Sequence, residues 1–252
     1  MDEFNHRKPL SLRKRGIYLL PNLFTTGALF AGFYAIVQAM NSRFEFAAVA
    51  IFIAMVLDGL DGRVARLTHT QSAFGAEYDS LSDMVSFGVA PSLVVYEWAL
   101  KGLGKWGWFA AFIYCAATAL RLARFNTNID VVDKHYFQGL PSPAAAALIA
   151  GFVWVMHDYQ VSGESVRWYA CGLTVFAGLS MISNLPFYSF KDFNMRKSVP
   201  FTVIFLTALF FIFISSYPPG VLFGLFMCYA LSGYVLWAWR RRQKQSPEVI
   251  KK

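Results

Sequence analysis

Charge is scarce in this sequence. Asp, Glu, Lys and Arg make up 15% of its 252 residues against 56% hydrophobic residues, and long apolar runs recur along almost the whole chain. An ordinary soluble domain is thereby excluded, and no polar stretch leaves room for a large one beside the apolar part. Cysteine is scarce too. Cys115, Cys171 and Cys228 all sit in apolar runs without metal-ligand spacing, so they are expected to be small buried residues that carry no information on redox compartment. A cleaved secretory signal is not expected either: the first apolar run, 17–40, is too long and leads into no mature soluble chain. The formal net charge is +8, but the basic residues fall in short connections between apolar runs. There they act as topology and headgroup signals, which excludes nucleic acid as a partner.

What is present is a series of runs near the ~20 residues a spanning helix needs. Eight transmembrane helices are expected, over 17–40, 46–66, 77–100, 106–125, 141–157, 168–187, 199–216 and 220–239. Residues 1–16 form a basic cytoplasmic arm with a short amphipathic segment. Residues 17–239 form a single membrane-embedded domain, and 240–252 a basic tail. All but four of the 23 Lys and Arg fall on one side of this arrangement, the exceptions being Arg43, Lys101, Lys105 and Arg167. The positive-inside rule then puts both termini in the cytoplasm of a multi-pass cell-membrane protein. The loop 126–140 joins the same face as a candidate substrate-contact loop or a plain tether, with His135 read as an exposed loop residue.

Against this apolar background, the segment AAVAIFIAMVLDGLDGRVAR at 47–66 and EYDSLSD at 77–83 stand out. Asp58 and Asp61 are three apart and Asp79 and Asp83 four apart, so each pair shares a helix face. Four carboxylates converging near hydrocarbon repel one another unless cations or protons intervene. Oxygen-only ligands with no Cys or His suit Mg²⁺ or Mn²⁺ rather than zinc, and four carboxylates suffice for two ions that clamp a phosphoryl group. Gly59, Gly62, Ala65, Gly75, Ala76 and Ser80 beside them leave space for a bulky ligand, or serve helix packing. Arg66 is placed to meet a phosphate or to anchor the interface. The residues alone support a metal-dependent membrane enzyme acting on a phosphate-bearing substrate, with a cation- or proton-coupled transporter as the rival.

The spacing D-x-x-D-G-x-x-A-R, eight residues, G-x-x-x-D-x-x-x-D resembles the signature of the CDP-alcohol phosphotransferases. The resemblance implies a six-helix membrane core, a homodimer, a cytoplasmic site with two divalent ions, and CMP as leaving group. It implies that Asp58 and Asp79 reach both ions while Asp61 and Asp83 complete one shell each. Asp61, Gly62, Ala65, Arg66 and Gly75 would lie against the CDP moiety, with Asp83 as general base. PNLFT at 21–25, RLARFN at 121–126 and FQGLPSPAAA at 137–146 are similar to the phosphatidylserine synthases of that family. Their likeness implies transfer of the phosphatidyl group of CDP-diacylglycerol to L-serine, with glycerol-3-phosphate or inositol phosphate as alternative acceptors. Arg121, Arg124 and Asn126 are the expected contacts to the acceptor or the lipid phosphate, among surrounding membrane lipids.

Overall fold

The computed structural model describes residues 12–68, 70, 72–127, 136–188 and 201–245, and the fold is almost wholly helical. The first helix, α1 (Leu12–Met40), runs without a break from the basic arm into the first apolar run, carrying Pro21 inside it. A three-residue turn with Ser42 at φ +58° reverses the chain into α2 (Phe44–Leu67). These two form the most extensive helix pair. Ser72 caps α3 (Ala73–Asp83) by accepting the Gly75 N–H at 3.0 Å, which satisfies one of the orphan donors of the first turn.

Directly after Asp83 the helix widens. A π-helical turn covers Met84–Val89, α4 takes Ala90–Val95, and a second π turn covers Tyr96–Leu100. Gly32 of α1 lies so close to the first π turn that a Cβ there would come within 2.6 Å of Ser86 Oγ and 2.7 Å of its Cα. Ser86 and Ser82 donate to the carbonyls of Ala28 and Thr25, fastening α1 to this strand of helix. Tyr114 of α5 (Lys105–Thr127) donates its hydroxyl to the Phe87 carbonyl.

The alanine-rich α6 (Ser142–Asp158) is buried over most of its length. It is apolar on every side, as a central helix must be, and it packs on α2 and α9 (Pro218–Gln245). Close approach is made possible by small residues: Gly151 faces Phe223 of α9, and Gly178 of α7 (Arg167–Ile182) faces Tyr114. A two-stranded antiparallel pair, β1 (Tyr136–Gln138) with β2 (Pro186–Tyr188), ties the segment before α6 to the one after α7. The last apolar hairpin is α8 (Phe201–Ser216) with α9.

Eight membrane spans are not what the structure contains. Among the described residues three helices are long and apolar enough to cross a membrane: Pro21–Met40, Lys105–Thr127 and Pro218–Arg241. Each failure has a physical cause. α2 carries Asp58, Asp61, Arg63 and Arg66 in its second half. The expected span 77–100 opens on the polar 11-residue α3 and then breaks into π turns. α6, α7 and α8 have 17, 16 and 16 residues, below the ~20 that a ~30 Å hydrocarbon core demands. Two smaller expectations also change. Cys228 is exposed and Cys115 and Cys171 are only half-buried, and part of the loop 126–140 is strand. His135 lies outside the described residues.

Candidate active site

The two acidic helices meet as their spacing requires. Asp58, Asp61 and Asp79 each present a carboxylate oxygen, and these oxygens lie within 4.8 Å of one another. Asp83 stands outside that triangle, in hydrogen-bond contact with Asp58. Asp61, only 5% exposed, accepts the Thr25 hydroxyl at 2.7 Å, and Thr25 reaches it from α1. One buried oxygen, Asp79 Oδ1, has no hydrogen-bond partner. Among the described residues no Lys or Arg forms an ion pair with any of the four.

The electrostatic cost shows in their proton affinities. Burial, then the neighbouring charges of Asp61 and Asp58, push Asp79 up to about 7. Burial raises Asp58 to about 6, against the hydrogen bond from Asp83. Asp61 is raised by burial and held back by Thr25. Asp83 is raised well above the carboxylate range by burial and then by Asp58 and Asp79, with Arg121 opposing. These four groups sit on helices outside the three spans. A compact, anionic, oxygen-only cluster with an unsatisfied carboxylate oxygen fits a hard divalent cation. The site is a buried acidic cluster able to coordinate one.

The small residues divide into two kinds. A Cβ on Gly59 or Gly62 would meet nothing within 4 Å, so open space borders the acids on the α2 side. Gly75 is different: a Cβ there would lie 3.1 Å from Ser72 Oγ and 3.6 Å from Asn22 Oδ1. Its smallness serves the cap of α3. Ala65 is half-buried and Arg66 exposed at the end of α2.

The arginines also divide. Arg121 is buried, donates through Nη1 to Ser142 Oγ at 2.8 Å, and leaves a buried Nε without a partner. Its charge faces Asp83. Arg124 instead spends its fork on the polypeptide. Nη1 donates to the Ile182 carbonyl and Asn184 Oδ1, and Nη2 to the carbonyls of Gln138, Met181 and Ser183. Asn126 bonds Ser80 of α3 at 3.0 Å. Sequence reasoning missed Thr25 and Ser142 as partners of Asp61 and Arg121. Both lay within stretches singled out for their family likeness, but nothing in local spacing points from Thr25 to an aspartate 36 residues on.

Residues 18–179, from α1 into α7, match the CDP-alcohol phosphatidyltransferase family. The chain belongs to that family. It is 36% identical over 220 residues to a CDP-diacylglycerol–serine O-phosphatidyltransferase of Helicobacter pylori, covering 87% of this chain and 92% of that protein. A Methanocaldococcus jannaschii protein of the same name is 39% identical over 142 residues, 56% of this chain and 63% of its own. One from Saccharomyces cerevisiae is 30% identical over 190 residues, 70% of this chain and 61% of its own. The chain is thus a membrane-associated enzyme of the CDP-alcohol phosphatidyltransferase type, with all four aspartates inside the segment that defines the family. α8 and α9 follow that segment.

Proposed function

We propose that this enzyme transfers the phosphatidyl group of CDP-diacylglycerol to the hydroxyl of L-serine and releases CMP. The observation that carries the reading is the convergence of Asp58, Asp61 and Asp79 within 4.8 Å, with one buried carboxylate oxygen unpartnered. The family match and the names of the relatives choose the substrates.

Asp58, Asp61, Asp79 and Asp83 would hold two divalent ions, Mg²⁺ or Mn²⁺. Bound there, such ions supply Lewis-acid stabilisation of charge on the phosphoryl and leaving oxygens. Gly62, with open space over it, lets the backbone approach the CDP moiety, and Ala65, Arg66 and Gly75 border the same region. Asp83, beside Asp58 and outside the triangle of the other three, accepts the serine hydroxyl proton. The serine oxygen then bonds to the β-phosphorus as the bond to the bridging oxygen breaks, and CMP leaves with that oxygen. Arg121, with a free buried Nε beside Ser142, orients the acceptor by its carboxylate. The diacylglycerol tails remain in the bilayer, because extracting them costs on the order of 0.8 kcal/mol per CH₂. The basic residues in the connections support a cytoplasmic site, in a single membrane-embedded unit over 17–239 that acts as a homodimer.

The deciding experiment is an acceptor panel. Purified protein with CDP-diacylglycerol and Mg²⁺ or Mn²⁺ is offered L-serine, glycerol-3-phosphate, inositol phosphate or inositol. Lipid product and CMP are expected only with L-serine. Product from glycerol-3-phosphate and none from serine would reject the acceptor and leave the family chemistry standing.

A further inference from the structure

Arg121 and Arg124 sit one helical turn apart on α5, yet they hold opposite ends of one short segment. At its far end, Ser142 opens α6 and accepts from Arg121 Nη1 at 2.8 Å. At its near end, the Gln138 carbonyl accepts from Arg124 Nη2 at 3.1 Å. Between them the chain is bonded to the C-terminus of α7: the Leu140 N–H to the Ser180 carbonyl and the Gly139 N–H to the Leu185 carbonyl, both at 2.9 Å. Gly139 has φ +81°, and a Cβ there would lie 2.2 Å from the Met181 carbonyl oxygen. Arg124 gathers the carbonyls of Met181, Ile182 and Ser183 on the same guanidinium. Those are the carbonyls that a helix C-terminus leaves without intrahelical donors. α6 begins with no side-chain cap of its own, so its starting point is fixed from outside.

We propose that Arg124 is a positioning residue rather than a contact to substrate. It joins the end of α7 to the 138–140 segment, and so sets where Ser142 stands against Arg121. The device rests on the reading of Arg121 as the acceptor's partner, and it assigns the two arginines different work. A lysine would keep the charge, but one ammonium cannot replace a planar fork that reaches five oxygens.

The test has a structural arm and a kinetic arm. The first is hydrogen exchange of the peptide containing Gly139 and Leu140 in detergent-solubilised Arg124→Lys, with Asn184→Ala as a milder variant that removes one contact. Exchange of those amides is expected to quicken in both, more in the lysine variant, while peptides from α2 keep the wild-type rate. The second is a double-mutant cycle on the acceptor KM with Ser142→Ala. Arg124→Lys and Ser142→Ala should each raise that KM about tenfold, and the double variant should be no worse than Ser142→Ala alone. The KM for CDP-diacylglycerol should stay within about twofold in the same cycle. Unchanged exchange at 139–140 would overturn the proposal. So would multiplicative effects in the cycle, which mean that Arg124 touches the acceptor independently. The exchange arm needs no acceptor, so quickened exchange in Arg124→Lys together with a wild-type enzyme inactive with serine would sink the serine reading alone.

Discussion

At the scale of single residues, the acidic cluster is a set of charges held together against their repulsion. All four carboxylates are raised, and the window is set by Asp58 and Asp79, which bind more protons folded than unfolded from about pH 4 up to their folded values of about 6 and about 7. Their contribution to stability is therefore fully present below that window and is lost as pH rises through it. In excess chelator the melting temperature should fall between pH 5 and pH 8, and added Mg²⁺ or Mn²⁺ should restore it most at the alkaline end, where protons no longer compete. A flat profile without metal would contradict the electrostatics. Thr25 offers a sharper probe, because it touches Asp61 without belonging to the cluster. Thr25→Val should weaken Mn²⁺ binding, read by electron paramagnetic resonance, about 10- to 100-fold, as loss of an outer-shell partner does. Thr25→Ser keeps the hydroxyl and should stay near wild type. Gly62 separates function from folding. A Cβ there meets nothing, so Gly62→Ala should hold or raise the melting temperature by relieving helix entropy, worth about 0.5–1 kcal/mol. The same change should cut CMP release if the nucleotide lies against that face.

At the scale of elements, the carboxylate pairs were legible because helix periodicity alone puts residues three or four apart on one face, and α2 and α3 do so. The π turn after Asp83 was not legible, since Met84–Val89 is as apolar as any span and nothing in its composition marks a widened helix. Nor was the division between the arginines. RLARFN shows two cations on one face, but the carbonyls that occupy Arg124 come from residues 138 and 181–183, which only the tertiary fold brings there. The contact between Gly32 and the π turn positions the helix that bears Asp83. Gly32→Ala forces a Cβ into Ser86, whose backbone cannot yield as a flexible side-chain tip would. A loss of about 1–3 kcal/mol is expected from such overpacking, measured by thermal unfolding in detergent. Wild-type stability would mean that α1 stands further from the π turn than the structure shows.

At the scale of the whole molecule, hydropathy overcounted the spans because it registers apolar letters and not where a helix is charged, broken or short. The contacts nevertheless sort the ends of the helices into two groups. Phe44 packs on His157, Tyr159 on Tyr217, and Gly163 on the Trp98 carbonyl, so the start of α2, the end of α6 and the segment before α5 share one end. Lys101, Glu164 and Arg167, two of them among the four basic exceptions, lie there. Thr25, the aspartates, Arg121 and the β pair share the other. The proposed orientation then makes a direct demand on intact cells. Lys101→Cys and Glu164→Cys, both at exposed side chains, should react with a membrane-impermeant thiol reagent from outside. Glu77→Cys and Thr127→Cys, exposed beside the acidic end, should react only after permeabilisation. Because the native cysteines include the exposed Cys228, the pairs belong in a background with all three replaced by Ala or Ser. Labelling of Glu77→Cys in sealed cells would put the aspartates outside, away from cytosolic serine and nucleotide lipid, and the positive-inside assignment would have to be reversed.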